Sequence, residues 1–457
     1  MINTGNGERM KDKMNNYTME DVLRLLEDED VEFVKLQFTD IHGTLKNIAV
    51  TAGKIASVLE NGCRFDLSRA DGISRITDSE RILVPDYSTF EILPWRPQQG
   101  KVARLLCDIC MPDGKPATGS PRYILKKTAE AAAEKGYEFE VGPECEFFLF
   151  ETDENGNPTV VTHEQAGYYD VGPLDEGENA RRDIVMNLED MGFEIDASHH
   201  EAAPAQHEID LSYENVMTAA DSIQTFKLAV RAIAKRHGLH ATFMPKPKNG
   251  VNGSGMHINM SLKKDGKNLF SDPSDKYGLS KEAYMFIGGL MEHLRGMSVF
   301  TNPLVNSYKR LLPEFEAPVY IAWSARNRNQ MIRIARALSA DKIRIELRSA
   351  DAASNPYLAL ALCLAAGLDG IEKKIMPPEA VDGNIASFSP EERSKAGIKR
   401  LPENLSEAIK AAEEDPFIRQ VLGDDAFDKY IWLKKKEWDD YNTFVSEWEL
   451  SEYLNRY

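Results

Sequence analysis

The segment Gly142-Pro-Glu-Cys-Glu-Phe-Phe-Leu-Phe150 decides how the larger part of this chain folds. Its two glutamates, Glu144 and Glu146, are two residues apart, so on a β-strand both carboxylates lie on the same face. The apolar residues that alternate with them lie on the opposite face. The segment therefore predicts a strand with one acidic face and one face buried in a core.

Three further segments repeat this alternation of polar and apolar residues. They are His257-Ile-Asn-Met-Ser261, Ile343-Arg-Ile-Glu-Leu-Arg348 and Glu208-Ile-Asp-Leu211. A single strand of this kind is usually the solvent-exposed face of an antiparallel sheet. Exposed faces are commonly filled by lysine, threonine or serine, whereas these segments carry glutamate, histidine, asparagine and arginine. Together the four segments predict a sheet face that binds metal ions and anions.

The acidic residues assigned to this face are numerous enough to repel one another. They are Glu144, Glu146, Glu201, Glu208 and Glu346. Such a group is expected to need cations among its carboxylates. Oxygen ligands with a single imidazole favour Mg²⁺ or Mn²⁺ over Zn²⁺. The neighbours His199 and His200 are additional candidate ligands, although adjacent residues of a strand point to opposite faces.

Basic residues are concentrated in one part of this acidic chain. They are Lys309, Arg310, Arg326, Arg328, Arg333, Arg336, Lys342, Arg344 and Arg348. Arg344 and Arg348 flank Glu346 on the predicted binding face, and guanidinium groups are suited to carboxylates and phosphates. Metal ions and arginines around one pocket are the arrangement that phosphoryl transfer requires. The loop 249–255 is rich in glycine but lacks the ending of a P-loop, so it predicts close approach of backbone to a ligand.

Length and composition limit the classes of protein that this chain can represent. Its 457 residues are enough for two domains, and 55 basic against 73 acidic residues give a formal charge of −18. This charge disfavours nucleic acid and anionic membranes as partners. The longest apolar stretch, Tyr357 to Leu368, is too short to span a bilayer, and the N-terminus lacks the apolar region of a secretory signal. Five scattered cysteines suit a reducing compartment, so we expect a cytoplasmic protein, with the role of Cys107 and Cys110 left open.

The pattern of turns and apolar runs divides the chain into two units behind a tail. Residues 1–16 are polar and are predicted to be a flexible tail, which ends at the capping-box pattern Thr18-Met-Glu-Asp21. Short apolar runs separated by turns predict a small sheet-containing unit over residues 17–112. Ser120 and Pro121 then open a helix, with Ser120 as its N-cap. Short strands alternate with longer helices from there, so a second unit is predicted over residues 118–457.

These residues resemble the type I glutamine synthetases over nearly the whole chain, from about Val31 to the C-terminus. The motifs that carry the resemblance are Gly142-Pro-Glu-Cys-Glu146, Asn252-Gly-Ser-Gly-Met-His257, Asn306-Ser-Tyr-Lys-Arg310, Glu314-Phe-Glu-Ala-Pro318, Asn327 to Arg333, and Asn355-Pro-Tyr-Leu358. Ala386 stands where one branch carries a modified tyrosine, and Asn259 stands where that branch has histidine. The resemblance is therefore to the shorter, non-adenylylated subtype, or to a divergent paralogue of it.

The resemblance implies a role for each residue at a matching position. Metal ions are held by Glu146, Glu201 and Glu208 at one site, and by Glu144, His257 and Glu346 at another. ATP is contacted by Tyr213, Asn259, Ser261, Arg333 and Arg344. Substrate is contacted by Asn252, Gly253, Arg310, Arg328, Arg348, Glu201 and Tyr168. The catalytic residues are Asp66, which helps deprotonate ammonium, Glu316, which closes over the site, and Arg328, which neutralises developing charge.

The fold and activity implied by the resemblance follow from the same family. An α+β chain is expected, with an N-terminal β-grasp domain and a C-terminal catalytic domain whose antiparallel sheet is lined by carboxylates and flanked by helices. Two or more Mg²⁺ or Mn²⁺ ions and ATP would serve synthesis of glutamine from L-glutamate and ammonium through a γ-glutamyl phosphate. A dodecamer of two hexameric rings is implied, with active sites between subunits and Asp66 supplied by a neighbour.

One segment departs from the family pattern and keeps two alternatives open. In Phe65-Asp-Leu-Ser-Arg-Ala-Asp-Gly72, Leu67 replaces a glycine and Arg69 brings a positive charge to the place where ammonium is expected to bind. The first alternative is a γ-glutamyl amine ligase that uses a polyamine or ethanolamine instead of ammonia. The second is a noncatalytic relative with a regulatory or structural role.

Overall fold

A computed structural model of the protein describes residues 16–68, 79–96, 99–313, 317–335 and 342–457. The predicted tail, residues 1–16, lies outside these ranges except for its last residue. The described elements of the first unit are α1 (Met19–Asp28), β1 (Val31–Thr39), β2 (Leu45–Thr51), α2 (Ala52–Asn61), β3 (Cys63–Asp66), β4 (Glu80–Pro85), β5 (Glu91–Ile92) and β6 (Lys101–Cys110). Helix α1 begins at the predicted capping box, because Thr18 and Asp21 each accept a hydrogen bond from the other's backbone N–H.

The strands of the first unit form one twisted sheet in the order β2-β1-β6-β4-β3, with β5 paired to β6. β1 and β6 are parallel, whereas the other pairs are antiparallel. Alternate residues of β1 and β6, such as Val34, Leu36 and Leu105, are fully buried beneath α1 and α2. The first unit therefore has its own apolar core.

The second unit is built around a larger sheet. Its strands are β7 (Tyr137–Thr152), β8 (Pro158–Thr162), β9 (Ile195–His200), β10 (Gln206–Leu211), β11 (Glu214–Asn215), β12 (Leu239–Thr242), β13 (Met256–Lys264), β14 (Lys267–Asn268), β15 (Tyr320–Ile321), β16 (Trp323–Ser324), β17 (Ile332–Ala335), β18 (Arg344–Leu347) and β19 (Lys399–Arg400). The main path is β16-β17-β18-β13-β7-β10-β9, while β15 and β19 form a separate pair. The sheet is antiparallel as predicted except between β16 and β17, which are parallel.

α-Helices make up much of the rest of the second unit. They are α3 (Pro121–Glu134), α4 (Glu178–Asp190), α5 (Val216–Arg236), α6 (Lys281–Thr301), α7 (Ser307–Arg310), α8 (Pro356–Lys373), α9 (Pro390–Lys395), α10 (Leu405–Glu414), α11 (Pro416–Leu422), α12 (Asp424–Asn442) and α13 (Glu447–Tyr453). Ser120 stands at the N-cap of α3, but its side chain makes no capping hydrogen bond, so only the role of Pro121 matches the prediction. Among the described residues, no helix combines the length and apolarity needed to cross a membrane.

The apolar side chains of β7 decide which face of the sheet is buried. Cys145, Phe147 and Leu149 are fully buried, and α3 and α5 pack against the strand that carries them. The alternation predicted for residues 142–150 is therefore present, with the glutamates on the face away from this core. Burial raises the pKa of the Cys145 thiol to about 12, which keeps that sulfur neutral beside the acidic face.

The two units are joined by buried polar contacts. Arg122 of α3 reaches Asp86 and Asp108 of the first unit at 2.8 and 2.6 Å, and Asp221 of α5 at 2.9 Å. Gln224 of α5 donates to the Thr39 hydroxyl and to a backbone carbonyl of the first unit, at 3.1 Å each. These contacts attach the first unit to the helix layer behind the large sheet.

Candidate active site

Strand pairing places the predicted acidic residues side by side. Glu208 on β10 lies opposite Glu146 on β7, and Asp210 lies opposite Glu144. On the other side of β7, His257 of β13 lies opposite Glu144. Residues that are remote in sequence thus form one acidic surface, because each strand alternates with the same period of two.

The first group within this surface contains Glu144, His257 and Glu346. His257 Nδ1 lies 3.0 Å from Glu144 Oε2 and 3.7 Å from Glu346 Oε1. Asn259 donates to the other oxygen of Glu144 at 2.7 Å. Burial opposes the charged form of Glu144, but the hydrogen bond and charge of His257, together with Asn259, lower its pKa to about 2. This carboxylate is therefore ionised at neutral pH.

The second group contains Glu146, Glu201 and Glu208, with His257 and His199 at its edges. Burial and the charge of Glu146 raise the pKa of Glu201 and raise that of Glu208 well above its ordinary value. These carboxylates are buried and carry like charge, so they repel one another. Binding of a cation would relieve this repulsion.

The donor atoms in both groups fit a divalent cation. Ligand atoms of Glu144, His257 and Glu346 lie within 4.8 Å of one another, as do those of Glu146, Glu208 and His257. Carboxylate oxygens with one imidazole nitrogen are ligands that Mg²⁺ and Mn²⁺ accept. The second predicted set, Glu146 with Glu201 and Glu208, is divided between two overlapping groups that share Glu208.

The neighbours His199 and His200 point to opposite sides of β9, as their adjacency predicts. His199 Nε2 faces Glu208 at 3.7 Å, and its Nδ1 faces Glu201 at 3.7 Å. His200 is fully buried and contacts the Glu201 carbonyl at 2.7 Å and Glu164 at 3.1 Å. Burial opposes the charged form of His200, but the hydrogen bond with Glu164 and that with the Glu201 carbonyl raise its pKa, and both ring nitrogens face acceptor oxygens. Only His199 faces the acidic surface.

Arginines on β17, on β18 and directly after β18 border the first group. Arg333 donates to Glu346 Oε2 at 2.9 Å and Arg348 donates to Glu346 Oε1 at 2.6 Å. The Arg344 guanidinium lies over the Tyr213 ring, 5.0 Å from its centroid. Arg328 is exposed in the loop after β16 and makes no ion pair with any described residue. The structure therefore brings three of these four arginines to the acidic surface.

The glycine-rich loop lies against Arg310, whose side chain is buried. The Arg310 guanidinium donates to the carbonyls of Ser349 at 2.8 Å and of Arg348 at 3.2 Å. A Cβ atom at Gly253 would lie 2.2 Å from the Pro245 carbonyl, and one at Gly255 would lie 2.4 Å from Arg310 Nη2. Backbone approach of this kind is what the glycines were predicted to permit.

The remaining predicted site residues are distributed more widely. Ser261 lies buried on β13, opposite Glu140, and Asn252 precedes Gly253 in the loop. Tyr168 is exposed and packs with Tyr169 against His199. Asp66 ends β3 of the first sheet and accepts hydrogen bonds from Ser68. Glu316 and Arg69 lie outside the described residues.

Gln206 is a site residue that the sequence analysis missed. Its side chain is almost fully buried and donates to Glu146 Oε2 at 3.1 Å. The signal was present, because Gln206 is two residues before Glu208 and so lies on the same face of β10. Asp210, two residues further on, has its pKa raised to about 7 by burial and by the charge of Glu144.

A carboxylate-lined sheet bordered by guanidinium groups defines a class of protein: an enzyme that handles metal ions and a phosphorylated substrate. The model of the glutamine synthetase catalytic domain matches residues 118–453, and that of the glutamine synthetase β-grasp domain matches residues 30–112. The chain belongs to the glutamine synthetase family. These matches confirm the predicted family and the predicted α+β fold. Membership of the family also confirms the predicted activity, that of an ATP-dependent glutamate–ammonia ligase.

Individual relatives agree with this assignment. A glutamine synthetase of Clostridium saccharobutylicum is 55% identical over 97% of this chain and 100% of its own length. One from Staphylococcus aureus is 51% identical over 96% and 99%. Among solved structures, a GmaS/ADP complex has a TM-score of 0.86 at 34% identity, covering 95% of this chain and 99% of its own. A Plasmodium falciparum glutamine synthetase has a TM-score of 0.85 at 26% identity, covering 96% and 99%. These comparisons do not favour the amine-ligase or noncatalytic alternatives.

Proposed function

We propose that this protein makes glutamine from L-glutamate, ammonium and ATP through a γ-glutamyl phosphate. The observation that carries the proposal is the single acidic surface on which Glu144, Glu146, Glu208 and His257 meet, bordered by the arginines of β17 and β18. Family membership supplies the substrates, and a relative with the same fold is known as a complex with ADP. We also propose that the protein acts in the cytoplasm.

Two divalent cations, Mg²⁺ or Mn²⁺, fit the donor atoms of this surface. Glu146, Glu201 and Glu208 would hold one ion, and Glu144, His257 and Glu346 would hold the other. When bound, such ions neutralise charge on phosphate oxygens. Burial and the charge of Glu146 raise the pKa of Glu201 and of Glu208, which supports this arrangement, since a bound cation would offset both effects.

The protein's own residues orient the two substrates for attack of the glutamate γ-carboxylate on the γ-phosphate. Asn252, Gly253 and Arg310 would hold glutamate. Tyr213, Asn259, Ser261, Arg333 and Arg344 would hold ATP. Arg328 and Arg348 would neutralise charge that develops on the transferred phosphoryl group, which is the main catalytic contribution open to a protein in such a reaction.

In the second half of the reaction, ammonium loses a proton, and the resulting ammonia attacks the carbonyl carbon of the acyl phosphate and displaces inorganic phosphate. Asp66 would accept this proton, Tyr168 and Glu201 would border the ammonium site, and Glu316 would close over the intermediate to exclude water. Asp66 lies on the small sheet, whereas the acidic surface belongs to the large one. We propose that a neighbouring subunit of a dodecamer supplies Asp66. We also propose that the chain consists of two domains, residues 17–112 and residues 118–457.

A phosphate-release assay tests the chemistry. With ATP, Mg²⁺ and glutamate, ammonium is expected to give faster release than any amine in a panel of polyamines, ethanolamine and short alkylamines. Release with amines and none with ammonium would overturn the proposal. Measured ATP binding without phosphate release from any acceptor would instead indicate a noncatalytic protein.

Mixed oligomers test the shared site. Asp66→Ala and Glu208→Gln chains are each expected to be inactive alone, because each lacks one half of the site. Co-assembled chains are expected to recover activity, since some interfaces then contain both native residues. Light scattering should show twelve times the 51.4 kDa chain mass. A mixture that stays inactive, although mass analysis shows mixed oligomers, would contradict a site shared between subunits.

A further inference from the structure

Gln206 occupies a position between the two parts of the proposed site. It begins β10, and its side chain is only 1% exposed. The side-chain nitrogen lies 3.1 Å from Glu146 Oε2, 3.2 Å from the Gly253 carbonyl and 3.3 Å from the Ser254 hydroxyl, so its two hydrogens are shared among three acceptors. Its side-chain oxygen accepts from the Ala203 N–H at 3.3 Å. One amide therefore contacts a carboxylate of the acidic surface and the glycine-rich loop together.

The contacts of Gln206 decide which oxygen of Glu146 is available to a cation. Glu146 Oε2 also accepts from the Gly255 N–H at 2.8 Å, so this oxygen is occupied by two donors. The other oxygen, Oε1, faces His257 Nε2 at 3.9 Å, inside the group that fits a cation. Hydrogen bonds of this kind orient metal-binding carboxylates and raise their affinity.

The loop side of the contact is equally constrained. Ser254 is fully buried, and its N–H donates to the Pro245 carbonyl at 2.9 Å. Gly253 has no room for a side chain between Pro245 and Arg310. The loop therefore has little freedom to move without changing the Gln206 contacts, and through them the orientation of Glu146.

We propose that Gln206 is a positioning residue that couples glutamate binding to cation binding. The proposal rests on the proposed function, in which the loop contacts glutamate and Glu146 contacts a cation. A ligand that contacts the loop shifts the groups that Gln206 contacts, and this shift changes the orientation of Glu146 toward the cation. By linkage, cation binding must favour glutamate by the same factor.

Mn²⁺ binding measured without ATP tests this coupling directly. The EPR signal of free Mn²⁺ gives its affinity with and without saturating L-glutamate, and the ratio of the two is the coupling factor. The wild-type factor is expected to be about 5 or more. In Gln206→Met, Mn²⁺ affinity is expected to fall about tenfold and the coupling factor to approach one. Calorimetric titration of glutamate with and without Mn²⁺ should give the same factor.

Gln224 provides a matched control. It is also a buried glutamine whose amide donates to a hydroxyl and to a backbone carbonyl, but it lies at the interface between the two units. Gln224→Met is expected to lower thermal stability while keeping the wild-type coupling factor. Loss of coupling in both variants would overturn the proposal, because any buried glutamine would then have the same effect.

Three other results would also overturn it. They are a wild-type protein in which Mn²⁺ and glutamate bind independently, a Gln206→Met protein with the wild-type factor, and a variant that loses Mn²⁺ affinity but keeps the factor. Gln206→Leu, which also removes the donor without adding a charge, should behave as the methionine variant does. If neither variant folds, Ser254→Ala removes one acceptor only and should reduce the factor in part; an unchanged factor would count against the proposal.

The phosphate-release assay separates failure of this inference from failure of the proposed function. Phosphate release with glutamate and ammonium, combined with unchanged coupling in Gln206→Met, would leave the function standing and reject the role of Gln206. Coupling that Gln206→Met abolishes, in a protein that releases no phosphate, would support the role of Gln206 and reject the function.

Discussion

Arg348 Nη1 lies 2.6 Å from Glu346 Oε1, and Glu346 is only 1% exposed. Arg333 holds the other oxygen of the same carboxylate at 2.9 Å. Both oxygens of a proposed cation ligand are therefore paired with guanidinium groups, which are themselves proposed to bind phosphate. A cation that binds Glu346 must compete with these arginines, and an arginine displaced in this way is free to contact an anion.

This competition predicts the effect of removing one guanidinium. Arg348→Gln should raise Mn²⁺ affinity about tenfold, or about 1.4 kcal/mol, because a competing positive charge is lost from a buried carboxylate. It should also lower phosphate release. Lys263→Gln is the control, since Lys263 pairs with Glu140 on the same sheet. Weaker Mn²⁺ binding by Arg348→Gln in EPR titrations would show that the arginine supports the cation site instead of competing with it.

Replacing Glu208 with a neutral residue should affect the stability of the protein differently with and without bound cations. Burial and the charge of Glu146 raise the pKa of Glu208, because both oppose its charged form, and a neutral amide at this position removes that unfavourable charge. Glu208→Gln should therefore melt no lower than wild type in EDTA. Wild-type protein should gain about 2.7 kcal/mol when Mg²⁺ is at one hundred times its Kd.

The gain in melting temperature on adding Mg²⁺ is the quantity to compare. It should be much smaller in Glu208→Gln than in wild type, whereas Glu140→Gln should keep it, because Glu140 pairs with Lys263 outside both groups. A full Mg²⁺ shift in Glu208→Gln would place the stabilising ion elsewhere.

The Arg122 contacts should contribute strongly to global stability. Arg122 is 7% exposed and reaches Asp86, Asp108 and Asp221, so its loss leaves carboxylates at a buried interface without their counter-ion. Arg122→Met is expected to lower the free energy of unfolding, measured by chemical denaturation, by about 3–5 kcal/mol. Arg122→Lys should recover little of this, because a single ammonium group lacks the planar fork that serves several carboxylates.

Lys126 gives the comparison for this interface. It also contacts Asp108, at 3.3 Å, but its side chain is 46% exposed. Lys126→Met should change the free energy of unfolding by less than about 1 kcal/mol. Equal losses in the Arg122 and Lys126 variants would indicate that burial of the pair is not what makes the Arg122 contacts strong.

His293 should make stability depend on pH. It lies on α6 between Asp415 at 2.8 Å and Asp369 at 3.2 Å, and these carboxylates raise its pKa above 6.5 although burial opposes the charged form. A raised pKa in the folded state stabilises the protein fully below the unfolded value of 6.5 and loses this contribution as pH rises through the folded value. His293→Gln should therefore lower the free energy of unfolding most at about pH 5.5. The loss should become smaller as the pH rises and the wild-type imidazolium loses its proton.

Denaturation curves at several pH values measure this difference. The exposed pair of His237 with Asp183, at 2.9 Å, supplies the control His237→Gln, for which a smaller effect is expected. A His293→Gln penalty that grows with increasing pH would have the wrong sign and would contradict an ion pair at this place.

Local alternation predicted the acidic strands because period two is a property of any extended chain. The segment 142–150 needs no partner to place Glu144 and Glu146 on one face, and the structure keeps that division. Capping was less predictable: Thr18 makes its predicted box, whereas Ser120 makes no capping bond although its sequence context is as favourable. Cap geometry depends on how the chain enters the helix, which neighbouring elements decide.

Contacts between remote segments could not be read from local patterns. His257 and Glu144 are 113 residues apart in sequence, and the division of Glu146, Glu201 and Glu208 into overlapping groups depends on side-chain directions across two strand pairs. The contacts of Gln206 belong here too: its position before Glu208 places it on the acidic face, but only the tertiary structure shows that it contacts Glu146 and the Gly253 carbonyl.

The sequence by itself determined the family, the two-unit α+β architecture and the face of each strand that carries charge, because these follow from motifs and from a repeat of two residues. The tertiary structure decided which charged groups are partners: Glu346 with Arg333 and Arg348, Glu146 with Gln206, and Arg122 with three aspartates. Pairing across a fold depends on strand register and helix packing over long sequence separations, and register is set jointly by all the strands of a sheet.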